Sequence, residues 1–259
     1  MQASPACQPR PEARFAFHPG ENSEPAPQSP RLNRLLASLP QEDYERLLPY
    51  LEPVPLPLRL TLHHAGDLEK YLYFLTSGIV VRYYITKDGS SSAFAITGNE
   101  GAIGVSSFLG GESTPSQAEV LSAGYAYRLG VGRLNTEFEH VGAVAVSLMR
   151  YTLALIAQTT QSAVCNRHHS VMRQFCRWIL SCLDRLPTNE LGMTQERIAD
   201  MLGVRREGIS EAAAKLRKMG AILNSRGHIT VLDRHALRAQ ACECYAAVRS
   251  EIDRLTLTG

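Results

Sequence analysis

The period of the apolar positions changes three times along this chain, and each change predicts a change of element. From Leu32 to about Leu51, Leu35, Leu36, Leu39, Tyr44, Leu47 and Leu48 recur at helical spacing; Pro40 splits the run into two short helices, and Pro53, Pro55 and Pro57 end helical structure. Between Leu58 and Leu129 the text becomes short β-branched and aromatic runs at 71–75, 79–85, 93–96, 119–121 and 125–129. Turn signals separate them, among them Ala65-Gly66-Asp67, Thr76-Ser77-Gly78, Lys87-Asp88-Gly89, Asn99-Glu100-Gly101 and Gly110-Gly111. Many short strands at this spacing predict a small antiparallel β-barrel or jelly roll.

Helical spacing returns near Asn135 and lasts to about Cys165. Val141, Val144, Leu148, Tyr151, Leu155 and Gln158 alternate steps of three and four, as in a coiled coil. Leu153 and Ile156 open a second apolar face, so one face is expected against the barrel and one against a partner helix. Val141, Val144, Leu148, Tyr151 and Leu155 are read as the dimer interface. A further helix at 171–186 carries the stripe Phe175, Trp178, Ile179 and Leu183, and Pro187 stops it.

Residues 194–215 are the most informative stretch. They read as two short helices and a tight turn. Ala199 is small where the helices cross, and Gly203 ends the first helix where positive φ is needed. Ile198, Leu202, Val204, Ile209 and Ala212 supply the apolar contacts. This is a helix-turn-helix whose second helix opens on Arg205, Arg206 and Glu207, the position from which side chains reach base edges in a major groove. Two short strands, 221–223 and 228–232, flank Ser225-Arg226-Gly227 and make the motif winged, with Arg226 placed to meet a phosphate. A terminal helix is expected over 237–255.

Charge follows the same division. Residues 165–259 hold 15 Lys/Arg against 10 Asp/Glu, a net of +5, while the rest of the 259-residue chain is at −3. The positive half is the half with the helix-turn-helix, which suits a polyanionic partner. Residues 1–30, rich in Pro, Ser, Glu and Gln, read as a disordered leader. No apolar run reaches about 18 residues, so no membrane partner is expected. Cys7, Cys165, Cys176, Cys182, Cys242 and Cys244 include no CxxC pair, so no metal site is expected. Cys176 and Cys182 read as core fillers. Cys242-Glu243-Cys244 reads either as free thiols or as a redox pair. No nucleophile–base set, Walker loop or HExxH occurs, which argues against an enzyme.

The order of barrel, long helix and winged helix-turn-helix resembles the Crp/Fnr family of bacterial transcription regulators. Gly66-Asp67, Leu72-Tyr73-Phe74-Leu75-Thr76-Ser77-Gly78, Asp88-Gly89, Glu100-Gly101 with Ile103-Gly104, and the stretch 193–216 carry the likeness. It implies an α+β protein of four parts: the leader, a cyclic-nucleotide-binding-like sensor barrel at 31–134, a dimerisation helix at 135–166, and a winged helix-turn-helix domain at 167–259. It implies a cytoplasmic homodimer that reads a palindromic operator in double-stranded DNA, with half-sites about 34 Å apart, and that contacts RNA polymerase. Arg206 matches the family's guanine-gripping arginine, and Glu207 matches the residue that accepts from a cytosine amino group. Arg205 is read as a base or phosphate contact. Thr194 joins the DNA-binding set, and Ser210, Lys215 and Lys218 read as backbone contacts or solvated surface. Glu211 departs from the family, where a second arginine often stands. The competing reading is a ligand-binding or protein-interaction module whose helix-turn-helix serves protein contacts.

The departures bear on the effector. The resemblance places an effector pocket at Gly104, Val105, Ser106, Ser116 and Gln117. The family's cyclic-AMP binders use a Gly-Glu pair and a later Arg-Ser/Thr-Ala; here Gly104 is followed by Val105, and Thr114-Pro115-Ser116-Gln117-Ala118 contains no arginine. A phosphate buried without its cation is costly, so cyclic AMP is not expected by the usual route. Cys7 alone in the leader argues against the Fnr-type iron–sulfur cluster. His63-His64 and Asn166-Arg167-His168-His169 remain as candidate sensing groups or hinge hydrogen-bonders; neighbouring helical histidines point about 100° apart and do not readily share one ion.

Overall fold

A computed structural model of the chain describes residues 29–111, 113–132, 142–225 and 227–257. The leader up to residue 28, Val141 of the expected dimer stripe and Arg226 of the wing lie outside the described residues.

Two short helices, α1 (Arg34–Ala37) and α2 (Gln41–Leu47), open the fold. Asn33 seats them. Its side-chain oxygen accepts from the Leu35 and Leu36 amides at 3.1 and 3.2 Å, while its amide donates to the carbonyls of Leu75 and Gly101 at 2.9 and 2.8 Å. One fully buried side chain thus caps a helix and ties it to the sheet without leaving a polar atom unpaired.

Eight strands follow: β1 (Glu52–Leu56), β2 (Thr61–His63), β3 (Tyr71–Leu75), β4 (Ile79–Ile85), β5 (Ser91–Thr97), β6 (Ala102–Ile103), β7 (Gln117–Ser122) and β8 (Gly124–Gly130). They form two antiparallel sheets, ordered β1-β8-β3-β6 and β2-β7-β4-β5. Leu56, Leu75, Val80, Ile103, Ala118, Val120 and Ala126 close the space between them. The result is a jelly-roll sandwich of two sheets, not a closed barrel. Strand β1 was hidden by Pro53 and Pro55. It lies at a sheet edge, where alternate residues need no partner for their N–H, and both prolines take those positions opposite Tyr127 and Tyr125.

After a short turn of helix, α3 (Val105–Phe108), the long helix α4 spans Ala143–His168. Here the expectation for the dimer interface is corrected. Val144, Leu148 and Tyr151 pack inside the protomer against Leu72, Phe74 and Leu129, and Leu155 packs at the margin of the same cluster. Leu148 is 0 % and Tyr151 2 % exposed, whereas Leu153 is 55 % and Ile156 57 % exposed. Spacing identified two faces; the one carrying Leu148 and Tyr151 is covered by the sandwich, and the one carrying Leu153 and Ile156 is left outward. Gln158 fastens α4 to β5 like an extra strand residue, accepting from the Ile96 amide at 3.0 Å and donating to its carbonyl at 3.2 Å.

The C-terminal part runs through α5 (Val171–Leu183), β9 (Glu190–Leu191), α6 (Gln195–Leu202), α7 (Arg206–Lys218), β10 (Ile222–Ser225), β11 (His228–Val231), α8 (Arg234–Gln240) and α9 (Cys244–Leu257). The expected single terminal helix is therefore two, broken at 241–243. The last, α9, folds back onto α4, where Ala154 meets Val248, Ile252 and Leu255.

Candidate nucleic-acid interface

The helix-turn-helix forms as its residues dictate. Thr194 caps α6, its hydroxyl accepting from the Arg197 amide at 3.1 Å. Gly203 closes it at φ 64°, the left-handed region that a side chain would strain. Ile198, Ala199, Met201 and Leu202 of α6 are buried with Ile209, Ala212, Ala213 and Leu216 of α7, and Val204 packs at their margin. Fixing α7's apolar side this way leaves its other side to water: Arg205, Arg206, Glu207, Glu211, Lys215 and Lys218 are all exposed. Ser210 differs from this group. It is half-buried, and its hydroxyl donates to Gln195 across the helix crossing at 2.8 Å, so it positions the reader before it touches anything else. Gly208 has a packing reason, since a Cβ there would stand 3.3 Å from Val171. The wing is a β10–β11 hairpin to which β9 adds a third strand.

The reader is docked on the sensor sheet. Arg197 places one guanidinium nitrogen 2.8 Å from each Glu119 oxygen, and Tyr83 donates to the same carboxylate at 2.8 Å. Burial, then the hydrogen bond to Glu119, holds the Tyr83 hydroxyl above its ordinary pKa. Just beyond the C-terminal end of α5, Arg185 pairs with Glu100 at 2.7 Å, with side chains only 8 % and 6 % exposed. Burial opposes the charge on Arg185, but Glu100 more than offsets it and keeps the guanidinium above its usual range.

A cavity of about 460 Å³ lies between the sandwich and α4. Val105, Ser106 and Leu109 line one side, Thr152, Leu155, Ile156, Thr159 and Thr160 of α4 the other, with Arg82 and Phe94 between them. Of the five residues expected at the effector pocket, Val105 and Ser106 line this cavity. Gly104 does not line it; at φ 99°, its missing Cβ would stand 2.2 Å from the Tyr71 carbonyl. Ser116 pairs with Thr114 and Gln117 with His64, away from the lining. Arg82 was not expected. Its Nε and one terminal nitrogen are buried without a hydrogen-bond partner, and its guanidinium lies 5.8 Å from the Phe94 ring centroid. A bulge between Arg82 and Tyr83 interrupts the strand there. A charge interrupting the apolar run 79–83 was the available signal.

Three cysteines and a histidine also converge beside the hinge that joins α4 to α5: Cys165, His169, Cys242 and Cys244. The hydrogen bond between Cys165 and Cys242 holds the Cys242 thiol below its ordinary range.

Comparison with known proteins agrees with this geometry. Residues 54–141 match the cyclic nucleotide-binding domain and residues 173–240 the Crp-like helix-turn-helix domain. The chain belongs to the Crp/Fnr family. The fold is similar to FixK2 of Bradyrhizobium japonicum, at 18% identity and TM-score 0.64, over 74% of this chain and 98% of that one. It is equally similar to a Crp/Fnr-family transcriptional regulator of Eubacterium rectale, at 19% identity and TM-score 0.64, over 80% and 96%. A CRP-family regulator of Thermus thermophilus matches at 22% identity and TM-score 0.61, over 73% and 96%. Comparison with curated protein sequences returns no match. The chain is thus a Crp/Fnr transcription regulator with a sensor sandwich and a helix-turn-helix reader, and no described helix is long and apolar enough to cross a membrane.

Proposed function

We propose that this Crp/Fnr regulator works as a homodimer that reads a two-fold operator, with Arg206 and Glu207 at the base edges and Arg205, Thr194, Lys215 and Arg226 on the phosphates. One observation carries the reading: α7 buries its apolar side completely against α6 and leaves every charged residue of its first turn in water. Such a surface meets a polyanion without first having to break internal pairs. Glu211 stands one turn beyond Glu207, where it repels phosphate and favours a base-edge amino donor.

The dimer contact is the outward ridge of α4, Val146, Met149, Leu153, Ile156 and Val164, all exposed in the protomer. Their steps of three, four, three and eight keep one face of the helix, the arrangement of a two-helix contact. By family likeness the dimer acts on transcription through RNA polymerase.

The sensor cavity takes a small anion. Arg82 supplies the cation that the cassette at 114–118 lacks, from a different strand, and two of its buried nitrogens await an acceptor. Ile156 belongs both to the cavity wall and to the exposed ridge, so an occupant reaches the subunit contact. Cyclic AMP held by the family's usual cassette does not fit this donor set.

Gel-shift with genomic fragments at moderate salt tests the central reading. Retention of a discrete subset of fragments in the presence of competitor DNA supports it. Equal, wholly salt-labile retention of all fragments, or none, overturns it.

A further inference from the structure

Ligand donors of a metal-binding kind meet where three segments of the chain converge. Cys165 and His169 stand four apart at the C-terminal end of α4 and so share a face. Cys242 and Cys244 bracket the break between α8 and α9. Their donor atoms all lie within 4.8 Å of one another. The Cys165 and Cys242 sulfurs are 3.5 Å apart, and the Cys244 sulfur is 3.4 Å from Nδ1 of His169. A tetrahedral zinc site with the usual bond lengths has edges of about 3.8 Å between sulfurs and about 3.6 Å between sulfur and nitrogen. The four donors are thus already at the spacing of one ion. They are too close together for a cubane iron–sulfur cluster, which holds its sulfurs at the corners of a much larger cage.

The surroundings are those of a coordination site. Nε2 of His169 faces a Glu243 carboxylate oxygen at 3.2 Å. A proton held there leaves the Nδ1 lone pair directed at the cysteines, the outer-sphere arrangement that fixes the tautomer of a ligating histidine. Gln161 donates to the Cys244 sulfur at 3.0 Å, as amides do to thiolates. Three thiolates around a divalent ion carry a net charge of −1. The neighbouring Arg177 supplies the opposite sign; it is 8 % exposed and its Nε has no hydrogen-bond partner. Cys182, equally buried, has no such company and serves as an internal control.

We propose that Cys165, His169, Cys242 and Cys244 bind one zinc ion per chain, which clasps the end of the long helix to the connector entering α9. Thiolate and imidazole donors in tetrahedral array select zinc over the hard cations. The clasp sits on the two-residue link between α4 and α5, so it fixes the angle at which the reader leaves the long helix. This inference does not depend on which DNA, or which effector, the protein binds.

The test uses the full-length chain, reduced, equilibrated with zinc chloride and freed of excess by gel filtration. Elemental analysis is expected to return about one zinc per chain. Cobalt(II) in its place is expected to give the intense visible bands of a tetrahedral thiolate complex. Replacing Cys242 and Cys244 by Ser removes both signals, and replacing Cys182 by Ser leaves them. Because removing ligands can unfold a clasped protein, Glu243→Gln provides the gentler probe: it keeps all four donors, and chelator competition is expected to read zinc affinity weakened about 10- to 100-fold. Less than a stoichiometric trace of zinc in folded wild type, or zinc unchanged by the Cys242/Cys244 double substitution, overturns the proposal. So does a Cys165–Cys242 disulfide that persists under the reducing conditions.

Discussion

Replacing Arg206 by Ala separates sequence reading from simple attraction to DNA. Arg206 is the first residue of α7 and is exposed, so truncation removes no buried contact and the fold should stand. One bidentate contact to guanine is worth about 1–3 kcal/mol of discrimination. A two-fold dimer makes it twice, so the preferred site should lose about 2–6 kcal/mol relative to scrambled DNA, roughly 30-fold to 10⁴-fold. Lys215 supplies the contrast. It lies nine positions further on, two and a half turns, and so at the opposite margin of the exposed face, where phosphates flank a helix in a groove. Lys215→Ala should weaken preferred and scrambled DNA alike and lower the slope of log K against log salt by about 0.9 per subunit. The assay selects the preferred site from random duplexes with wild-type protein. It then measures anisotropy on preferred and scrambled duplexes at several salt concentrations. If Arg206→Ala keeps the wild-type preference and loses only salt-sensitive affinity, the guanidinium holds backbone and the proposed reading of α7 is wrong.

Leu153→Glu with Ile156→Glu should yield folded monomers by sedimentation, because both side chains are exposed in the protomer; Leu148→Glu, aimed at a fully buried site, should lower thermal stability instead, and a stable monomer from it would undo the assignment of faces. Arg82→Met should abolish thermal stabilisation by small anionic ligands while leaving the unliganded melting point nearly unchanged, since two of its buried nitrogens have no partner to lose; a ligand response equal to wild type would move the site elsewhere. Glu100→Gln, which strands the buried Arg185 charge, should cost about 3–5 kcal/mol in denaturant unfolding, and a loss below 1 kcal/mol would mean water reaches the pair. Gly104→Ala should cost about 3 kcal/mol or more, through positive φ and a Cβ driven against the Tyr71 carbonyl; near-wild-type stability would show that the turn at Gly104 can relax.

The reader was legible because its determinants are local. Ala199, Gly203 and five apolar positions within twenty residues can form few other things, and Gly203 does take positive φ. The strands were legible wherever apolar runs ended in turns. What was lost depends on neighbours that sequence does not name. Two stripes on α4 could be seen, but not which of them the sandwich would cover; Leu148 and Tyr151 face it, as does Gln158 through its pairing with Ile96, while Leu153 stays exposed. Pro53 and Pro55 hide an edge strand, since an edge tolerates what a central strand forbids. The cysteine cluster has no spacing signature because its halves, 77 residues apart between Cys165 and Cys242, meet only when α9 returns to α4.

That return makes α4 the element all the proposed functions share. At about 1.5 Å per residue it is close to 40 Å long. Along that length it lines the anion cavity with Thr152, Leu155 and Thr159, presents Leu153 and Ile156 outward, and ends in Cys165 and His169 beside the reader. A ligand can shift the orientation of the reader only if it binds two arrangements of the protein unequally. Each of these sites touches α4, so each can meet that condition by favouring one seating of a single rigid helix. The reader has its own hold on the sandwich: Arg197 pairs with Glu119, and Ile79, Val81, Tyr83, Ala93 and Ile96 share one buried apolar cluster with Ile198, Ala199 and Leu202. Releasing the reader would uncover that apolar seam, so an occupant of the cavity moves the reader by reseating α4 beneath it, while the cysteine cluster keeps the α4–α5 link in register.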